Sequence, residues 1–198
     1  MFSTAFQQAP HVYPHDRILD VLILRFIPRS VHPNHVTIAR IFLTPFVLFF
    51  ILDERYGIGV PLFLFTAFTD AVDGALARTR NQVTQWGKVF DPIADKLLIG
   101  SVLIVLAMRY INFYVAMAVL GVEVMIITAA LVFHRFDKYG RIRGANLWGK
   151  IKMILQVMAV FLALLGLLID FPLLIQGASF VFGGAIVFAL MSLFSRGI

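Results

Sequence analysis

The sequence predicts an all-α integral membrane protein: six transmembrane helices behind an N-terminal amphipathic helix lying in the membrane interface, with both termini cytoplasmic. Three observations predict it. The 198 residues are 60% hydrophobic and only 14% charged, against about 25% charged in an ordinary soluble domain, and the mean hydropathy is +0.89. Apolar runs of roughly 20 residues, long enough to cross a bilayer, follow one another with short polar breaks. Lys and Arg gather in alternate connections between those runs.

Taken in chain order, residues 1–16 are polar and carry no apolar run ending in small residues, so no cleavable signal peptide is expected. Residues 17–27 hold Ile18, Leu19, Leu22, Ile23, Phe26 and Ile27 among Arg17, Asp20 and Arg25. That segment is too short and too charged to span, and suits the interface. The six spans fall at about 36–52, 58–77, 92–108, 111–133, 148–169 and 172–194. The third is expected to open at Asp91-Pro92, an acidic cap followed by proline at the first helical position. The whole of 1–198 reads as one membrane domain, without an internal repeat.

Charge placement orients the chain. Arg17, Arg25, Arg29 and Arg40, then Arg78, Arg80, Lys88 and Lys96, then Arg135, Lys138, Arg141, Arg143, Lys150 and Lys152, and finally Arg196 fall on one side; only Arg55 and Arg109 fall on the other. That asymmetry places the basic side in the cytoplasm. It accounts for the net charge of +6 without nucleic acid, for which no recognition motif is present. With no cysteine in the chain, disulfides, zinc–thiolate sites and thiol nucleophiles are excluded.

The second and third spans carry an electrostatic anomaly. Asp70 lies eight residues before Arg78, about 12 Å into a helix, where a carboxylate is costly and functional by default. Asp73 follows on the same face, with Gly74 and Ala77 leaving room beside it. Asp91 and Asp95, at i and i+4, share a face of the next helix. Antiparallel packing of the two helices can bring both acidic faces together. Carboxylates so placed must be protonated, paired or metallated. Their all-oxygen donor set suits hard cations such as Mg²⁺, Mn²⁺ or Ca²⁺, of which Mg²⁺ commonly accompanies phosphate substrates.

The run Asp70-Ala-Val-Asp73-Gly74-Ala-Leu-Ala77-Arg78, with Gly87, Asp91 and Asp95 after it, resembles the signature D-x2-D-G-x2-A-R-x8-G-x3-D-x3-D of the CDP-alcohol phosphotransferases, and meets it at all eight fixed positions. The resemblance implies that Asp70, Asp73, Asp91 and Asp95 bind two divalent ions, Mg²⁺ or Mn²⁺. It implies that Asp95 is also the general base that activates an acceptor alcohol. Asn34, Thr37, Gly74, Arg78 and Thr84 match positions on the side of the CDP-lipid. Asn34 and Thr37, within Pro33-Asn34-His35-Val36-Thr37, serve equally well as helix caps.

The stretches Arg80-Asn-Gln-Val-Thr84, Asp91-Pro-Ile-Ala-Asp95-Lys96 and Trp148-Gly-Lys150-Ile-Lys152 are similar to phosphatidylglycerophosphate synthases within that family. The resemblance therefore implies phosphatidyl transfer from CDP-diacylglycerol to glycerol 3-phosphate, with release of CMP, by a homodimer in the bacterial plasma membrane whose site faces the cytoplasm. Arg143, Lys150 and Lys152 are the candidates for holding the acceptor phosphate. Gly121-Val122-Glu123 departs from the Gly-Arg-Glu usual in those synthases, which leaves phosphatidylglycerol (giving cardiolipin) or inositol phosphate as alternative acceptors. Prenyl transferases share only D-x2-D. A membrane cation transporter would also bury carboxylates, but the repeated halves that accompany such folds are missing from the sequence.

Overall fold

The computed structural model describes residues 14–28, 30–111, 114, 117, 121, 125 and 147–194, and its regular elements among them are all helical. The chain divides into two compact units, Met1–Ser101 and Val102–Ile198.

The first unit begins with α1 (Pro14–Leu22) and a 3₁₀ turn (Leu24–Phe26). Leu19, Leu24 and Ile27 pack against Val72, Ala75 and Leu76 of α3 (Tyr56–Thr79). Of the carbonyls that end this segment, Leu24 O accepts the Ile27 N–H and Pro28 O the Val31 N–H, each at 3.1 Å. Arg80 adds a side-chain donor to the oxygens of Leu24 (3.0 Å), Ile27 (2.7 Å) and Pro28 (3.2 Å). Val21, Leu22 and Phe26 stay exposed, an apolar face of the kind an interfacial helix turns toward lipid.

Helix α2 (Pro33–Leu52) starts at a proline, which fits the first helical turn, and its cap is His32, whose N–H donates to His35 Nδ1 at 3.4 Å. Asn34 and Thr37 therefore sit inside the helix and do not cap it. Helices α2 and α3 form a hairpin through residues 53–55, where Glu54 takes a left-handed conformation (φ 59°) and Arg55 N–H returns to the Phe50 carbonyl at 2.9 Å. Helix α3 ends similarly, with Asn81 at φ 53° and the Gln82 N–H on the Ala77 carbonyl at 2.9 Å.

Helix α4 runs Gln85–Leu106, so the expected start at Asp91-Pro92 is corrected. Thr84 is the cap: its Oγ accepts the Gly87 N–H at 2.9 Å, the bond typical of a hydroxyl N-cap. Asp91 and Pro92 lie inside the helix, nearly two turns on. The apolar run begins near 92, but the backbone winds as soon as its first donors are satisfied.

In the second unit the chain passes from the end of α4 into a π-helical turn, Ala107–Ile111. Helices α5 (Leu147–Leu168) and α6 (Pro172–Phe194) form an antiparallel hairpin. Ala159, Ala163 and Gly166 of α5 and Ala178, Ala185 and Ala189 of α6 are buried, the small-residue seam that lets membrane helices approach closely. At one end the rings of Trp148 and Phe188 stack with centroids 5.8 Å apart. At the other, Asp170 (φ 51°) makes the turn.

Four helices among the described residues are long and apolar enough to cross a membrane: α2, α3, α5 and the Pro172–Ser192 part of α6. Helix α4 equals them in length but carries Asp91, Asp95 and Lys96. The span expected at 111–133 lies outside the described residues apart from its first position and the separate helical positions 114, 117, 121 and 125.

Candidate active site

The site belongs to the first unit and is built by α2, α3 and α4 with a contribution from α1. Asp70 and Asp73 stand one turn apart on α3. Between them reaches Arg40 of α2, fully buried. Its Nη1 donates to Asp70 Oδ1 and its Nη2 to Asp73 Oδ2, both at 2.5 Å. Its Nε lies 3.4 Å from Thr69 Oγ. One guanidinium thus serves two carboxylates, the charge-assisted geometry for which arginine is suited.

One turn before Arg40, Thr37 faces the same way. Its hydroxyl donates to Asp91 Oδ1 at 2.7 Å and lies 3.3 Å from Asp73 Oδ2, joining α4 to α3. Beside it, Thr84 donates to Asn34 Oδ1 at 3.0 Å. Gly87 sits where these groups converge: a Cβ there would lie 3.2 Å from Thr84 Oγ and 3.4 Å from both Asn34 Oδ1 and Asp91 Oδ2. The motif glycine makes room for its polar neighbours.

Arg78 closes the α3 side. It donates from Nε and Nη2 to the two carboxylate oxygens of Asp16 on α1, each at 2.8 Å. Its guanidinium folds back over Gly74, whose missing Cβ would stand 3.2 Å from both Nη atoms. Asp70, Ala71, Asp73, Gly74, Arg78 and Asp91 line a pocket of about 360 Å³. Asp95, one turn beyond Asp91, is half-buried and within electrostatic range of Asp70 and Arg40.

The structure therefore draws together Asn34, Thr37, Asp70, Asp73, Gly74, Arg78, Thr84 and Asp91, with Asp95 adjoining. Lys150 and Lys152 belong to the second unit, Lys150 exposed and Lys152 buried; Arg143 lies outside the described residues. Two site residues escaped the sequence reading. Arg40 served there as a flanking topology charge, although its i+3 spacing from Thr37 puts both on one helix face. Asp16 ends the polar lead-in, and nothing local to it announces a partner 62 residues away.

The donor set, four carboxylates with a hydroxyl beside them, fits a hard divalent cation. Among the described residues the carboxylates are not gathered on a single point; Asp70 and Asp73 are instead bridged by Arg40. The charge of Asp70 and Asp73 is thus already partly balanced by Arg40.

Apolar helices that can span a bilayer, combined with a buried network of carboxylates, arginine and hydroxyls, define a multi-pass membrane protein with a polar site inside its helices. The sequence model of the CDP-alcohol phosphatidyltransferases matches residues 30–192, and this chain belongs to that family. A CDP-diacylglycerol–glycerol-3-phosphate 3-phosphatidyltransferase of Bacillus subtilis is 35% identical over 150 residues, covering 67% of this chain and 76% of the relative. One of Rickettsia felis is 49% identical over 77 residues, 37% of this chain, and the match spans only 42% of that relative's length. A probable cardiolipin synthase (CMP-forming) of Drosophila melanogaster is 40% identical over 73 residues, 36% of this chain and 23% of its own.

Proposed function

We propose that this protein transfers the phosphatidyl group of CDP-diacylglycerol to glycerol 3-phosphate and releases CMP. The observation that carries the proposal is the single pocket in which Asp70, Asp73 and Asp91, from two helices, meet Gly74 and Arg78. Membership of the family supports the CDP chemistry, and the names of the Bacillus and Rickettsia relatives support this acceptor.

In this reading Asp70, Asp73, Asp91 and Asp95 would hold divalent metal, Mg²⁺ or Mn²⁺ and two ions by resemblance. When bound, the metal neutralises charge at the diphosphate. Arg78 binds a diphosphate oxygen, while Asn34, Thr37 and Thr84 border the nucleotide. Asp95 accepts the proton of the acceptor hydroxyl. That oxygen bonds to the phosphorus carrying the diacylglycerol, and the bond from this phosphorus to the bridging oxygen of CMP breaks. Orientation of two substrates supplies much of such a rate enhancement, and a carboxylate within reach of the hydroxyl supplies general-base catalysis. Arg143, Lys150 and Lys152 are the proposed holders of the acceptor phosphate. The proposal includes six spans, cytoplasmic termini, a site open to the cytoplasm of a bacterial plasma membrane, and a homodimer.

The test is purified protein in mixed micelles with CDP-diacylglycerol, Mg²⁺ or Mn²⁺ and a panel of acceptors. CMP release with glycerol 3-phosphate, abolished by chelation and restored by metal, is expected. Release only with phosphatidylglycerol or inositol phosphate would overturn the acceptor assignment. Asp95→Asn should lose turnover, by at least the 10²-fold typical of a general base, while nucleotide binding is largely retained; normal turnover in that variant removes Asp95 from the role.

A further inference from the structure

We propose that Asp16 is a positioning residue that aims Arg78 at the diphosphate of the CDP-lipid, making α1 a working part of the site; this rests on the reading of Arg78 given above. Asp16 is 0% exposed, and a buried carboxylate needs a charged partner. Arg78 is such a partner, bound through both oxygens. A two-point bond between fork and carboxylate fixes the guanidinium plane as well as its place, where an unanchored arginine samples many rotamers.

The pair is not the only attachment of this N-terminal segment. Leu19 of α1, with Leu24 and Ile27 just after it, packs on α3, and Arg80 holds the carbonyls of Leu24, Ile27 and Pro28 that follow the helix. What the Asp16 bond adds lies at the other end of the guanidinium. With Nε and Nη2 held by Asp16, the Nη atoms are pressed over Gly74, on the wall of the pocket that Asp70, Asp73 and Asp91 also line. The motif specifies Arg78 and the glycine beneath it, but not what orients the arginine. The family match begins at residue 30, beyond α1.

The experiment is steady-state kinetics of the full chain in mixed micelles with CDP-diacylglycerol varied, alongside thermal unfolding. Asp16→Asn is expected to raise KM for CDP-diacylglycerol about tenfold, the worth of one charge-assisted hydrogen bond, with kcat changed less than about threefold. Asp16→Glu, which keeps the charge, should recover part of the loss. Arg78→Gln should raise KM at least as far, and adding Asp16→Asn to it should do no further harm, as for residues acting through one another. An unchanged KM in Asp16→Asn overturns the proposal. So does a fall in kcat and thermal stability at constant KM, or failure of Asp16→Asn to fold where Arg78→Gln folds, because each reduces the pair to an anchor. A wild-type KM in Arg78→Gln overturns instead the reading of Arg78 itself.

Discussion

Arg40 shows how much of this site rests on single side chains. It is fully buried and bonded to two aspartates, of which Asp73 is 2% exposed and Asp70 47% exposed. Removing one member of a buried pair strands the other's charge, at a cost of about 3–5 kcal/mol. Arg40→Met should therefore unfold at markedly lower temperature in detergent without added metal. Arg40→Met combined with Asp73→Asn should recover part of that loss, since the stranded carboxylate is gone; equal or greater loss in the double variant would mean that Arg40 acts through packing alone. Thr37 does comparable work with a neutral group, its hydroxyl lying between Asp91 and Asp73 and so tying α4 to α3.

Among the elements, two joints fix how neighbouring helices meet, one in each unit. The first is the start of α4. Thr84 caps it, and the same hydroxyl donates to Asn34 of α2. Thr84→Ala should cost about 1 kcal/mol, as loss of a hydroxyl cap usually does, and Thr84→Ser should restore it; thermal unfolding reads both. The second joint is the α5–α6 hairpin. At Gly166 an added Cβ would lie 2.9 Å from Ile175 Cγ1 and 3.0 Å from Leu174 Cβ, with the Ile175 backbone nitrogen at 3.2 Å. Gly166→Val forces these atoms apart, and overpacking of this kind costs about 1–3 kcal/mol. A lowered unfolding temperature is expected, whereas Gly183→Ala, where nothing lies within 4 Å of the added Cβ, should leave it unchanged.

At the scale of the whole molecule the question is which ends face which side of the bilayer. The absence of cysteine makes this directly testable, because any introduced thiol is the only one. With the basic connections inside, Ser30→Cys, before α2, should react with an impermeant maleimide only after the inner face is opened. Asp53→Cys, in the α2–α3 turn and exposed, should react from outside in intact cells. The opposite pattern would reverse the orientation and move the site to the other face.

Composition and spacing by themselves determined that this chain is helical and built for a membrane, and they singled out Asp70, Asp73, Asp91 and Asp95 as the candidates to carry its chemistry. The reason is that bilayer thickness and the helical repeat are local constraints, written in runs of 20 residues and in steps of three or four. The α4 start shows where such local rules stop. An apolar run marks the part of a helix in lipid, while the backbone begins wherever a hydroxyl satisfies its first N–H groups, here seven residues ahead of Asp91 at Thr84. The partners of the charges were decided only by the tertiary structure. Arg40 and Asp73 are 33 residues apart, and Asp16 and Arg78 are 62 apart. A flanking arginine in solvent and one buried between two carboxylates read alike along the chain. They differ only in what the fold, by packing α1 and α2 against α3, takes away from water.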